Sequence, residues 1–212
     1  MALIHQAELR PSKRELVAAW LPAQPWFRGG NLASLARVGA YRFDDPDGEV
    51  GVETFLMSLD GTVYHLPLTY RAAPLDCAEE WLVGTMEHSV LGPRWVYDGC
   101  GDHVYIAALV GAMVAGQPQA QEVTEVNGGT EVRQPSILIK SLGPVLPLAP
   151  RMGIRSPVTE DEHTVVRSGD LVLSVSRVLD LGGHIGGNWA LTATWAGRQE
   201  PVQLASLNHE GN

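Results

Sequence analysis

Residues 50–70 read VGVETFLMSLDGTVYHLPLTY. Two apolar, β-branched and aromatic runs, Val50 to Leu59 and Thr62 to Tyr70, flank Asp60-Gly61, where both residues can take positive φ. That pattern predicts a hairpin with a two-residue turn. In the second run Val63, His65, Pro67 and Thr69 fall on one side. Tyr64, Leu66, Leu68 and Tyr70 fall on the other, the side expected to face the core. Pro67 has no N–H for a ladder and points to an edge or a bulge.

On the N-terminal side, Ala36 to Phe43 reads as a further strand. Ahead of it Ser12 and Glu15 form a capping box, and Leu16, Val17 and Trp20 then share one helix face. Pro22 and Pro25 stop that helix. On the C-terminal side, Glu80 to Val90 fits either a strand or a helix, and Arg94 to Tyr97 reads as a strand ended by Asp98-Gly99. Asp102 can cap a helix running to about Ala115, with Gly116 as its stop. Beyond it come three turns flanked by short apolar runs, at Asn127-Gly128-Gly129, Ser168-Gly169-Asp170 and Ala196-Gly197. Ile137 to Lys140 is another such run. Gly143 to Pro157 holds four prolines and two glycines and reads as a connector. His209 to Asn212 are expected to be disordered. The fold class expected is α+β: mainly antiparallel β-sheet, with one short N-terminal helix and one longer helix near 102–116. Residues 1–118 and 119–208 form two regions, which the proline-rich connector lets pack as one unit or separately.

The chain has 212 residues and a formal net charge of −9. Its lysines are Lys13 and Lys140, and its arginines are scattered, so neither nucleic acid nor an acidic membrane surface is an expected partner. Cys77 and Cys100 form neither a disulfide framework nor a CxxC metal pattern, and the first residues lack a signal-peptide pattern. The apolar run Val104 to Ala115 is too short to span a bilayer. A cytoplasmic protein is expected.

Several groupings could carry chemistry. Glu87-His88, with Asp98, Asp102 and His103 nearby, could serve as ligands or as an acid–base set, although neighbours on a strand point to opposite faces. The HxxxH and HExxH spacings of a helical metal site are missing, so no metal or cofactor is expected. Gly182 to Asn188 is glycine-rich but is followed by Trp189 and a strand, which favours a hairpin loop over a phosphate cradle. Trp20, Trp26, Phe27, Trp81 and Trp95 could build a sugar platform or fill a core. Cys100, between two glycines, looks exposed, and His103 follows it by three residues. Ser89 and Ser136 lack a base at helpful spacing, and Lys140 ends a short strand.

Trp20-Leu21-Pro22-Ala23-Gln24-Pro25-Trp26-Phe27, followed by Gly29-Gly30, resembles the opening of maltokinases. Tyr64-His65-Leu66-Pro67-Leu68-Thr69-Tyr70-Arg71 is similar to a strand of the same N-terminal cap, and Val83 to Asp98 to its end. The resemblance covers about the first 115 residues. Gly29-Gly30 lacks the family's lysine, and Pro25 stands where the family has arginine. Maltokinases phosphorylate maltose with ATP, using a kinase-like part placed after the cap. That part needs metal-binding and catalytic aspartates and a phosphate-binding lysine. No His-Gly-Asp or His-Arg-Asp loop follows here, so no catalytic residue carries over and the kinase lobes are expected to be absent. The resemblance implies a non-catalytic accessory protein. Its partner would be an enzyme of trehalose, maltose or glycogen metabolism, or a second copy. Tyr64, Pro67 and Arg71 are the expected interaction edge, and Trp26, Tyr70, Arg71, Glu87, His88 and Asp98 the expected ligand contacts. The alternative is a small α-glucan- or sugar-binding module or enzyme using Glu87, His88 and Asp98.

Overall fold

The computed structural model describes residues 2–4, 7–126, 129–153 and 157–210. Along the chain run β1 (Ala2–Ile4), β2 (Leu9–Arg10), α1 (Lys13–Trp20), β3 (Ala36–Phe43), β4 (Gly51–Leu59), β5 (Thr62–Arg71), β6 (Leu82–His88), β7 (Gly92–Asp98) and α2 (His103–Val114). They are followed by β8 (Glu122–Val126), β9 (Gly129–Val132), β10 (Ile137–Leu142), β11 (Val158–Glu160), β12 (His163–Ser168), β13 (Leu171–Ser176), β14 (Trp189–Trp195) and β15 (Arg198–His209). Among the described residues the protein is therefore mainly antiparallel β-sheet with two α-helices, and β1 alongside β8 is a parallel pair. None of its described helices is long and apolar enough to cross a membrane.

The hairpin forms as its turn residues dictate. Leu59 pairs with Thr62, and Asp60 and Gly61 take φ of 49° and 85°. It sits inside a six-stranded sheet of order β2-β6-β7-β5-β4-β3. A second six-stranded sheet runs β10-β14-β15-β13-β12-β11, and a three-stranded one runs β1-β8-β9. The stretch from Glu80 resolves as a 3₁₀ turn over Glu79–Trp81 followed by β6.

Both faces of the first sheet are buried, where the sequence suggested one core face. Phe55, Met57, Tyr64, Leu66 and Leu68 pack against Leu16, Val17 and Trp20 of α1. On the opposite face Tyr41, Val52, Leu56 and Val63 join α2 and the inner face of the second sheet, including Val166, Leu173, Leu191 and Leu204, in one hydrophobic cluster. Helix α2 lies in that cluster with Tyr105, Ile106, Leu109, Val110, Ala112, Met113 and Val114 buried, which is why its sequence is apolar all round. Its ends are as read. The Asp102 carboxylate accepts from the Val104 amide, and Gly116 beyond the helix takes φ 66°. The capping box of α1 is also formed.

Two expectations need correction. The hairpin is interior, since β4 lies between β3 and β5 and β5 lies between β4 and β7. Tyr64, Pro67 and Arg71 therefore offer no free strand edge. The sheet's edge at β3 is itself covered: Ser136 Oγ accepts from the Ala40 amide and donates to the Ala40 carbonyl, and the Ala120 amide donates to the Arg42 carbonyl. His209 is ordered in β15, paired with Leu171, and its Nδ1 lies 3.0 Å from Asp170 Oδ2. The turn residues Asn127 and Gly128, part of the connector at 154–156, and Gly211 and Asn212 lie outside the described residues.

Candidate functional site

The candidate residues separate into structural pairs and one cleft. Trp26 is 3% exposed, packs on Trp20 and Tyr64 at 5.7 and 6.0 Å between ring centroids, and carries the Arg177 guanidinium 5.4 Å from its ring. These rings fill the interior and present no open platform. Tyr64 is fully buried, and its hydroxyl accepts from the Arg28 amide. Asp98 receives two hydrogen bonds from Arg177 Nη2, at 2.9 and 2.7 Å, and one from the Cys100 amide. Arg177 Nε also donates to Thr164 Oγ1 at 2.7 Å, so this buried ion pair ties the two large sheets together. Arg71 grips Asp102 with two hydrogen bonds of 2.7 Å. Burial alone would raise the Asp102 pKa, but Arg71 and the Val104 amide hold it below the usual carboxylate range. Cys100, expected to be exposed, is wholly buried, and burial pushes its thiol up.

Glu87, His88 and Asp98 do not meet. Glu87 is exposed and His88 is half-buried on the opposite face of β6. His88 pairs with Gly92 at one end of β7 while Asp98 closes the other, about 20 Å away at the usual rise per residue. His103 is exposed, and its Nδ1 is 3.8 Å from the already occupied Asp102. Lys140 is exposed on β10, the outer strand of the second sheet.

Tyr70 and His88 do line one open cleft, of about 410 Å³, which Lys13, Arg42, Asp45 and Arg94 share. It lies between the start of α1, the β3–β4 turn and the β6–β7 hairpin. Glu53, 2% exposed, sits beside its floor. Lys13 Nζ donates to one carboxylate oxygen, and Arg42 Nη2 to the other at 2.7 Å. Burial would raise the Glu53 pKa, but the two cations bring it below the usual value. Burial also lowers the Lys13 pKa, against the opposing pull of Glu53. Lys13 Nζ stands 4.9 Å from the centre of the Tyr70 ring. The Tyr70 hydroxyl is buried beside the Glu53 carboxylate. Burial, and then the nearby Glu53 charge, raise its pKa.

Sequence reasoning found Tyr70 and His88 but missed Lys13, Arg42 and Glu53. A signal was present. Glu53 shares a strand face with Phe55 and Met57, and a carboxylate on a buried face needs cations brought to it.

Residues 20–102 match the family model of the maltokinase N-terminal cap domain. The match bears out the resemblance read from Trp20 to Gly30 and from Tyr64 to Arg71, and it takes in β3 to β7, ending at the cap of α2. No curated protein matches the chain.

Proposed function

We propose that this chain acts by binding, as an accessory protein of maltose, trehalose or α-glucan metabolism. The observation that carries the reading is the cap-domain match over residues 20–102. The arrangement of the polar groups is consistent with it, because Arg71, Asp98 and Asp102 are engaged in holding the fold together. The partner we propose is an enzyme of that metabolism, with self-association as the other form, and neither nucleic acid nor membrane takes part. A cytoplasmic setting suits the free thiols of Cys77 and Cys100. We read residues 1–118 and 119–208 as two regions packed as one unit, since one hydrophobic cluster draws on both.

The test mixes the purified chain with purified enzymes that make or consume maltose, trehalose and α-glucan, and follows complex formation by size-exclusion chromatography with light scattering. A stoichiometric complex with one of them, or a defined homo-oligomer, is the expected result. Turnover of maltose or glycogen by the chain alone, or a monomer that joins none of these enzymes, would overturn the proposal.

A further inference from the structure

Between β10 and the proline-rich connector the chain turns apolar side chains toward water. Leu138 and Leu142 are 58% and 37% exposed, Val145 69%, Leu146 38% and Leu148 81%. Alternation along β10 places Leu138 and Leu142 on its outward face, while Ile137 is buried and Ile139 packs against the core. The stretch that follows is fastened from beneath. Trp189 Nε1 donates to the Pro144 carbonyl at 2.7 Å, the Leu146 amide donates to the Val114 carbonyl at 2.9 Å, and Ala149 packs against the core. Pro144 and Pro147 stand exposed within it. The apolar side chains are thus held out on a backbone that is already ordered, so binding through them costs little further ordering. Exposed apolar surface gathered in one place marks a contact surface.

The free edge of β10 is closed by a side chain. Gln119 Nε2 donates to the Ile137 carbonyl and its Oε1 accepts from the Ile139 amide, both at 3.0 Å. Gln119 stands there in place of a neighbouring strand, so the strip is offered through its side chains and not for strand addition. Charge decides what fits it. No charged residue lies between Lys140 and Arg151. Both are exposed, and neither meets a carboxylate among the described residues. Screening at physiological salt acts over about 8 Å, so these two cations, and not the distant acidic groups, set the local match. In a two-fold pairing of strip on strip, cation would face cation whichever way the strips ran, which disfavours a second copy.

From this we infer that residues 138–148 form the docking surface for the partner enzyme, whose matching surface is apolar and edged by carboxylates that meet Lys140 and Arg151. The inference rests on the accessory reading given above and names the surface that reading requires.

The intact chain tests it in complex with an enzyme of that metabolism, by size-exclusion chromatography with light scattering and by titration calorimetry. Val145→Asp and Leu148→Asp should each weaken the complex at least about tenfold. Their urea unfolding midpoints should stay at the parent's value, because both side chains are exposed. Lys140→Glu combined with Arg151→Glu should weaken the complex and change its salt dependence. Val90→Asp, at an exposed apolar residue in the turn between β6 and β7, should leave it unchanged. A complex that tolerates both Val145→Asp and Leu148→Asp overturns the inference and leaves the accessory reading standing. No complex with any of these enzymes overturns both. A homo-oligomer dissolved by Leu148→Asp would make a second copy the occupant and overturn the partner inferred here.

Discussion

His65 makes the stability of this protein depend on pH in a way that can be calculated. It is fully buried in β5, with Nδ1 2.8 Å from the Ser176 carbonyl and Nε2 3.0 Å from the Tyr41 hydroxyl. A carbonyl can only accept, so Nδ1 carries the proton and Nε2 accepts from Tyr41. Burial lowers the His65 pKa to about 3 from its ordinary 6.5, against the opposing pull of the Ser176 carbonyl, and the nearby Arg177 charge lowers it further. The folded protein therefore keeps His65 neutral down to about pH 3, whereas the unfolded chain protonates it below 6.5. Between those values the unfolded state holds the extra proton, and stability falls as pH falls, by about 1.4 kcal/mol per pH unit. Above pH 6.5 the contribution is fully present. Glu53 and Asp102, whose pKa values are lowered, also lose stability in acid, so the parent protein alone does not isolate the effect. A comparison with His65→Gln does, because the glutamine does not titrate and the carboxylates are common to both. Urea unfolding followed by tryptophan fluorescence should show the parent ahead at pH 7. That lead should shrink by about 2.3 kcal/mol between pH 6.5 and 4.5. A lead constant to within about 0.5 kcal/mol would mean that His65 titrates alike in both states, and would refute the buried Tyr41–His65–Ser176 connection.

Other consequences are simpler to test. Asp98→Ala leaves the Arg177 guanidinium buried without its counter-ion and should cost about 3–5 kcal/mol in urea unfolding; the double variant Asp98→Leu with Arg177→Met should recover much of that loss. Gly61→Ala adds a methyl group to open space at φ 85°, so its cost of about 1–2 kcal/mol, read from the thermal midpoint, should be purely conformational. With an aromatic disulfide reagent, the native protein should release one thiol equivalent quickly, from exposed Cys77, and the second, from buried Cys100, only on unfolding.

What could be read from the sequence was what neighbouring residues determine among themselves. Ser12 with Glu15, Asp60 with Gly61, Asp102 with Val104 and Gly116 after α2 are contacts or conformations set within a few residues, and each is found as read. The connections that define the candidate sites span much longer intervals. Lys13 reaches Glu53 across 40 positions, and Arg177 reaches Asp98 across 79. Alternation shows that Glu53 points inward, but no local pattern says which cation will be there. The same limit applies to α2, whose apolar circumference announces burial without naming the two sheets that bury it.

Pro67 shows how a sound local rule can give the wrong global answer. A proline in a strand needs a place where no donor is missed, and a sheet edge is the usual one. In β5 the backbone groups of Val63 and His65 point away from β4, toward residues 177–179: the His65 amide donates to the Arg177 carbonyl, and the Leu179 amide to the Val63 carbonyl. Two residues beyond Pro67, Thr69 on the same side pairs with Tyr97 of β7, which ends at Asp98 opposite Leu68. The nitrogen of Pro67 thus faces the gap where one neighbouring segment gives way to another. The strand is interior on both sides, yet at that one residue no N–H is called for. The proline marks a change of partner within the sheet, at the place where Asp98 and Arg177 join the two halves of the protein.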